Sequence, residues 1–465
     1  VNDTIAAIST PFGEGAIAVL RLSGPRAAEI AEAVFRGRSR VADLAPRQQS
    51  FGAVFEAGQK LDDVLLSVFP GPASYTGEDV VEIACHGGIL VTRRILELLL
   101  RQGARAAHPG EFTQRAFLNG KMDLTQAEAV MDLITAQTDL ALRAASEQLE
   151  GRLGEHIRGL RETFLGLLAH VEAYIDFPDE DIDPDTGEAL LRKLDAGRAE
   201  IEALLATADR GKILREGVRT VIYGAPNVGK SSLLNLLLGT ERAIVSAQPG
   251  TTRDVIEEVI NLRGIPLRLI DTAGVRESDD EIERAGMERT RQQVERADLV
   301  LRVVDASVAG ETVWLIKPMS RESGIGKSDG PGGAGQTASQ PHTLLVLNKI
   351  DLGEHPGWHG TPGVRLSCLR GEGVDALAAA IVAQVTGGQA AHRDWSLAIN
   401  ARHEACLLRA RNFTDAARRA LREGLSAEFA AEELRGALDA VGEVVGKLDS
   451  EDVLGKIFST FCIGK

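Results

Sequence analysis

A chain of 465 residues with 44% apolar content has the length for about three domains, each with an ordinary core. Its balance of 52 basic against 67 acidic residues, −15 net, excludes a general nucleic-acid-coating protein, and 4% aromatic content leaves few platforms for stacking bases. Any RNA contact is therefore expected to be local or shared with a partner. Cys85, Cys368, Cys406 and Cys462 lie far apart with no C-x-x-C pair, so neither a zinc site nor a disulfide framework is indicated. No basic segment followed by an apolar one opens the sequence and no apolar run reaches a membrane span, so a cytoplasmic protein is expected.

Residues 1–119 hold short β-rich segments (Ile5–Ile8, Ala16–Leu22, Val64–Phe69, Val80–Ala84) and helix-like stretches around 26–36 and 89–102, the pattern of an α+β domain. Turn-rich motifs punctuate it: Ser74-Tyr75-Thr76-Gly77-Glu78-Asp79, His86-Gly87-Gly88, and Pro109-Gly110-Glu111-Phe112 leading to Asn119-Gly120-Lys121. Read alone, these are turns and caps, and His86 is a hydrogen-bonded turn histidine. From Ala127 to Ile175 the spacing becomes helical. Leu149, Leu153, Ile157, Leu160, Phe164, Leu168, Val171 and Ile175 form one apolar stripe, the core of a helical bundle. A further helix is expected over Glu188–Ala208, and helices resume around Ala401–Glu423, Ala427–Val445 and Ser450–Phe461. Neither side alone makes a good bundle, so an all-α domain is expected to be split, 120–214 plus 388–465, by an insertion at 215–387. At the carboxy end Cys462, read alone, is a buried thiol.

The insertion carries the chemistry. Val218–Tyr223 suits a buried strand, and Ser232–Leu238 reads as a helix ended by Gly239. Between them lies Gly224-Ala225-Pro226-Asn227-Val228-Gly229-Lys230-Ser231, a complete G-x-x-x-x-G-K-S. Its glycines let successive N–H groups face a β-phosphate; Lys230 would neutralise β/γ oxygens and Ser231, just before the helix that starts at Ser232, would offer a hydroxyl to Mg²⁺. Gly250-Thr251-Thr252-Arg253-Asp254 and Asp271-Thr272-Ala273-Gly274 follow, then Asn348-Lys349-Ile350-Asp351 after a strand at Thr343–Leu347. Asp351 can accept from guanine N1–H and its exocyclic amine together, which adenine cannot offer, Asn348 can donate to the base edge, and Lys349 would lie along the ring. Ser367-Cys368, after Val364-Arg365-Leu366, fits the last base-contacting box. These motifs imply an α/β P-loop, Ras-like domain that binds GTP. Gly326-Lys327-Ser328 is a decoy: the position that must be Gly is Arg321, and Lys317–His342 reads as a mobile surface loop. Val275 stands where Ras-like proteins carry their water-orienting Gln. The acidic run Glu277, Asp279, Asp280, Glu281 and Glu283 follows it, with no member singled out by spacing.

Taken together, Asp3-Thr4-Ile5-Ala6-Ala7, the Ser-Tyr-Thr-Gly-Glu-Asp and His-Gly-Gly elements, Pro-Gly-Glu-Phe, Asn-Gly-Lys, Leu214-Arg215-Glu216-Gly217 and the terminal Phe461-Cys462-Ile463-Gly464-Lys465 resemble the MnmE (TrmE) family of bacterial tRNA-modification GTPases. The likeness runs over essentially the whole chain, loosening around 35–60, 180–210 and 307–342. It implies action with the flavoprotein MnmG, which supplies FAD and uses NADH, to place an aminomethyl or carboxymethylaminomethyl group on C5 of the wobble uridine of certain tRNAs. The one-carbon donor would be 5,10-methylene- or 5-formyl-tetrahydrofolate. An amino-terminal folate-binding domain would form a homodimer, with a heterotetramer once MnmG joins. Arg21, Glu82, Lys121 and Lys465 would contact folate, near Cys462. The resemblance further implies K⁺ held by Asn227, Ser246, Gln248 and Thr251, Thr252 joining Ser231 on Mg²⁺, Glu283 positioning water, G-domain dimerisation, and supporting roles for Arg253 and Arg276. His108 and Cys368 are local departures from the family pattern. Two other readings stand beside this one: a ribosome-assembly GTPase of the Era or Der type, which needs a basic RNA-binding face, and a GTP-regulated folate-dependent methylene transferase acting without a flavin partner.

Overall fold

In the amino-terminal part, strand-length apolar alternation builds β1 (Ile5–Ile8), β2 (Ile17–Ser23), β3 (Phe35–Gly37), β4 (Ser50–Glu56), β5 (Gln59–Phe69), β6 (Val80–His86) and β7 (Arg105–Ala106). They form one sheet in the order β3-β4-β5-β6-β2-β1-β7, antiparallel except where β7 joins β1. The computed structural model describes residues 3–176, 188–240, 258–270, 292–309, 341–387, 395, 397–446 and 451–464. Alternate residues point to opposite faces of the sheet. Leu20, Leu22, Val64, Leu66, Val81 and Ile83 face a core completed by helices α1 (Ala27–Val34) and α2 (Ile89–Arg101). The residues between them, Arg21 and Glu82 among others, are thereby turned to the other face. Strands β3 and β4 have no counterpart among the expected segments, because Arg36, Gly37 and Gly52 interrupt their apolar pattern.

Helix α3 (Glu111–Leu118) begins at Gly110, whose φ of 68° is left-handed. It is followed by α4 (Leu124–Thr135), α5 (Asp139–Leu149), α6 (Arg152–Asp176), α7 (Glu188–Leu205) and α8 (Ala208–Glu216). The expected single stripe is divided: Leu149 belongs to α5, and Gly151 (φ +95°) turns the chain before α6. Leu153, Ile157, Leu160, Phe164, Leu168 and Val171 are buried on α6, which packs along α12 (Ala427–Val445). Helix α11 (Ala401–Arg422) and helix α13 (Glu451–Phe458) complete this unit, where Leu454, Phe458 and Phe461 pack with Leu124 and Ala127. Among the described residues no helix is long and apolar enough to cross a membrane.

A second sheet runs β13-β12-β11-β8-β10-β9, from β8 (Val218–Tyr223), β9 (Glu258–Leu262), β10 (Ile265–Leu269), β11 (Leu299–Asp305), β12 (His342–Asn348) and β13 (Val364–Arg365). All pairs are parallel except β9 with β10. Its near-continuous apolar strands are what a sheet covered on both sides requires. Helices α9 (Lys230–Thr240) and α10 (Val374–Thr386) supply Leu233, Leu237, Leu377 and Ile381 to the core. Contrary to expectation, α9 runs through Gly239, since nothing there calls for a left-handed cap. By contact the chain divides into two units, Val1–Ile134 with Ser146–Ala203 and Arg402–Lys465, and Thr135–Ala145 with Leu204–Ala401.

Gly110 marks where the carboxy-terminal segment meets α3. A Cβ there would lie 2.8 Å from Phe458 O and 2.9 Å from Phe461 Cβ, at a left-handed φ. Gly110→Ala is therefore expected to loosen residues 458–464, at a cost of about 1–3 kcal/mol. Limited proteolysis should show faster cleavage in that segment, with the rest of the chain unaffected.

Candidate functional site

The phosphate loop leaves β8 under two close approaches. A Cβ on Gly224 would sit 2.2 Å from Val303 O on β11, and one on Gly229 would sit 2.2 Å from Asn348 Nδ2. Gly229 has φ +101° and Asn227 φ +62°, so the loop curls through left-handed positions before α9 begins at Lys230. Its N–H groups thereby cluster at a helix amino terminus, the geometry that attracts phosphate. Val228 is buried, Asn227, Ser231 and Ser232 are exposed, and Lys230 Nζ donates to Ala225 O across the loop at 2.7 Å.

The second corner is tied directly to the first. Asn348, at the end of β12 and only 2% exposed, donates from Nδ2 to Val228 O at 2.9 Å and accepts at Oδ1 from Cys368 N at 3.1 Å. One buried amide thus locks the phosphate loop to the last loop. Ser367 Oγ donates to Asp351 Oδ1 at 2.6 Å. Burial and the Asp351 charge push the Cys368 thiol up to about 11, so it remains a protonated, inert thiol at neutral pH. Lys349 takes a left-handed φ of 64° and places Nζ 2.6 Å from Asp305 Oδ2. Asp305 stands opposite Asn348 in the strand register. Burial raises its pKa, but the bonds from Lys349 and Ser307 outweigh that and hold it below the usual carboxylate range. Sequence reasoning missed Asp305; the only signal was an acid ending the apolar run of β11.

Ser246, Gln248, Gly250, Thr251, Thr252, Arg253, Asp271, Thr272, Ala273, Gly274, Arg276, Glu283 and Lys465 lie outside the described residues, as do Gly326-Lys327-Ser328 and most of Lys317–His342.

On the other unit, Arg21 and Glu82 are cross-strand neighbours on the face away from α1 and α2, with Arg21 Nη2 2.8 Å from Glu82 Oε1. The Arg21 guanidinium lies 5.3 Å from the Tyr75 ring centroid and 5.7 Å from that of Phe112. Tyr75 is fixed by a 2.9 Å bond between its hydroxyl and that of Thr113. Neither ring was singled out from sequence, because nothing local links residue 21 to 75 or 112. Lys121 donates from Nζ to Pro72 O at 3.0 Å, and a Cβ on Gly77 would lie 3.4 Å from its stem, so it flanks the loop that carries Tyr75. The hydroxyl of Ser9, two residues beyond Ala7, is buried without a partner among the described residues. A Cβ on Gly464 would sit 2.4 Å from Ile8 O, so the carboxy-terminal segment ends beside β1. Cys462 is exposed, which corrects the expectation of a buried thiol: Phe461 fills the core and leaves its neighbour outside. His86 behaves as a turn histidine, its Nδ1 2.7 Å from Asp62 Oδ1.

A mostly parallel sheet with a phosphate loop between strand and helix, joined by a buried asparagine to an Asn-Lys-x-Asp corner, defines a P-loop GTPase domain, here inserted in a chain that also carries an α+β domain and a helical one. A family model described as the MnmE helical domain matches residues 124–462, and another, the GTP-binding protein TrmE N-terminus, matches residues 4–121. The chain is 50% identical over 468 residues to a tRNA modification GTPase MnmE of Akkermansia muciniphila, covering 99% of both chains. It is 45% identical to that of Natranaerobius thermophilus and 44% identical to that of Aquifex aeolicus, covering 100% of each chain. The chain belongs to the MnmE family of tRNA modification GTPases.

Proposed function

We propose that this chain hydrolyses GTP and, together with the flavoprotein MnmG, modifies C5 of the wobble uridine of certain tRNAs, with 5,10-methylene- or 5-formyl-tetrahydrofolate as one-carbon donor. The observation that carries the reading is the Asn348 amide. By bonding Val228 and Cys368 at once, it holds the phosphate loop and the base corner in one rigid frame, in a chain of this family. On this reading the loop N–H groups and Lys230 receive the β- and γ-phosphates. Asp351, pre-oriented by Ser367, accepts from guanine, and Lys349, held by Asp305, covers the ring. Leaving Asp351 unpaired with adenine supplies the discrimination.

The exposed Ser231 hydroxyl at the first turn of α9 fits a Mg²⁺ ligand, with Thr252 as the second. Asn227, turned outward by its left-handed φ, fits a side-chain oxygen donor to K⁺, alongside Ser246, Gln248 and Thr251. Bound cations would offset negative charge on the phosphate oxygens. Glu283 then orients water in place of the Gln that Val275 replaces, with Arg253 and Arg276 in support, and G-domain dimerisation completes the site. Hydrolysis is expected to run several-fold or more faster in KCl than in NaCl, and Glu283→Ala to abolish turnover while GTP affinity stays at its wild-type value. Equal rates in the two salts would remove K⁺ from the mechanism.

The Arg21–Glu82 face fits folate by its chemistry. Glu82 can accept from a pterin amide edge, while Arg21 and Lys121, with Lys465, suit the glutamate tail. The unpartnered Ser9 hydroxyl and the rings of Tyr75 and Phe112 line the same side. Cys462, exposed beside it, is available to the reaction. Exposed Ile17, Phe51 and Leu65 on this side of the sheet support an amino-terminal homodimer, joined by MnmG, with its FAD and NADH, in a heterotetramer. We assign the three domains to 1–119, to 120–214 plus 388–465, and to the inserted 215–387, and place the protein in the cytoplasm. The deciding experiment is nucleoside mass spectrometry of tRNA from cells lacking this protein. C5-modified wobble uridine is expected to vanish, and its persistence would overturn the reading.

A further inference from the structure

Among the helices described, α11 is the most arginine-dense in an otherwise acidic chain. It holds Arg402, Arg409, Arg411, Arg418, Arg419 and Arg422 against Glu404 and Asp415. Some of these have structural duties. Arg402 clasps Glu128 and the carbonyls that end α12, and Arg409 bonds Glu443. The last turns differ. A concave surface there is lined by Asn412, Asp415, Arg418, Arg419 and Arg422. Asp415 is already taken by Arg198 of α7 at 2.6 Å. Asp195 of α7 must serve two guanidiniums, Arg418 at 2.6 Å and Arg422 at 4.0 Å. Arg419 is exposed and makes no ion pair among the described residues. Glu202 of α7 is shared by Arg198 at 3.5 Å and Arg411 at 3.6 Å, so five arginines face three carboxylates.

Cations near a helix carboxy terminus are favoured by its dipole, and that accounts for one or two of them. It does not account for like charges at i,i+3 and i,i+4, which cost the helix roughly 0.2–0.5 kcal/mol per pair unless an anion sits between them. Guanidinium forks match phosphate oxygens two at a time. No large apolar side chain lines the surface, whereas a protein partner would need an apolar or aromatic anchor there. We propose that this concave end of α11 docks the phosphodiester backbone of the tRNA substrate. The proposal rests on the reading that the chain acts on tRNA, and it supplies the local basic contact that a net charge of −15 demands.

The test uses the full chain and unmodified tRNA, with affinity measured by fluorescence anisotropy over a range of KCl concentrations. Arg419→Gln with Arg422→Gln should weaken tRNA binding about tenfold or more at low salt. The log–log salt slope should become shallower by about 1.5, the value for two lost phosphate contacts. The double lysine variant, which keeps both charges, should retain most of the slope. GTP hydrolysis and thermal unfolding should match wild type in both. If the glutamine variant keeps wild-type affinity and slope, or loses only flavoprotein binding, the surface is not an RNA site and the proposal falls. If the wild-type chain alone binds no tRNA even at low salt, the proposal falls, while the functional reading stands or falls on the nucleoside analysis of tRNA from cells lacking the protein.

Discussion

Gly229→Ala should leave the chain folded and cut guanine-nucleotide affinity by a factor of about thirty to several thousand. At φ +101° an alanine is strained, and its Cβ would lie 2.2 Å from Asn348 Nδ2. The left-handed strain costs roughly 1–2 kcal/mol. Asn348 cannot yield easily, because it is buried and bonded on both ends of its amide. Pushing it aside leaves Val228 O or Cys368 N without a partner, at about 1–3 kcal/mol. The sum, roughly 2–5 kcal/mol, converts to that loss of affinity. Calorimetric titration with GDP reads it directly. Gly239→Ala is the matched control: it lies in α9 with nothing within 4 Å, so nucleotide affinity should hold and stability should rise by about 0.5–1 kcal/mol. Wild-type affinity in Gly229→Ala would mean that the loop and Asn348 are not coupled as described.

What sequence made legible was whatever repeats locally. The strand before the phosphate loop came from a short apolar, β-branched run and the long α6 stripe from three- and four-residue spacing, and these, with helices α11 and α12, lie close to their expected bounds. The phosphate and base motifs were legible because each is a contiguous run, the first with glycines that set its backbone and the second with side chains whose chemistry selects guanine. Asp305, Tyr75 and Phe112 were not legible, since each acts through a partner tens of residues away that only the sheet register brings near. Breaks were also misjudged. Gly239 looked like a helix end yet sits inside α9, whereas Gly151, within the expected stripe, divides it. A lone glycine signals freedom, and tertiary packing decides whether the chain uses it. The Pro109–Lys121 motif, which sequence could not assign beyond turns and caps, turns out to hold the most heavily bonded buried charge in the amino-terminal unit.

That charge is Arg115, 1% exposed. Its guanidinium donates to Asp3 O at 3.0 Å, Asp3 Oδ1 at 2.7 Å, Glu111 Oε1 at 3.0 Å and Glu78 Oε2 at 3.1 Å. It thus ties β1 to α3 and to the loop that carries Tyr75, behind the Arg21–Glu82 face. Replacing it with Met preserves bulk but strands Glu78 and Glu111 with Arg105 as the remaining counter-charge on Glu111. Breaking a buried ion pair from one side costs about 3–5 kcal/mol. Amide hydrogen exchange in β1 and α3 should accordingly quicken by roughly two to four orders of magnitude at neutral pH. Acidity provides the check on cause. Burial pushes Glu111 up, but the bonds from Arg105, His108 N and Arg115 prevail and hold it below its ordinary value. A depressed carboxyl adds stability above its unfolded pKa, about 4.3, and that contribution is lost as pH falls through the folded value. In Arg115→Met that contribution is already diminished, because Glu111 has lost one of the bonds that lower it. The gap between wild type and variant should therefore hold steady from pH 7 down to about 4.3 and narrow below it, as pH falls through the folded value of Glu111. A gap that stays constant there would assign the loss to packing, and one that widens would reverse the sign of the electrostatic account.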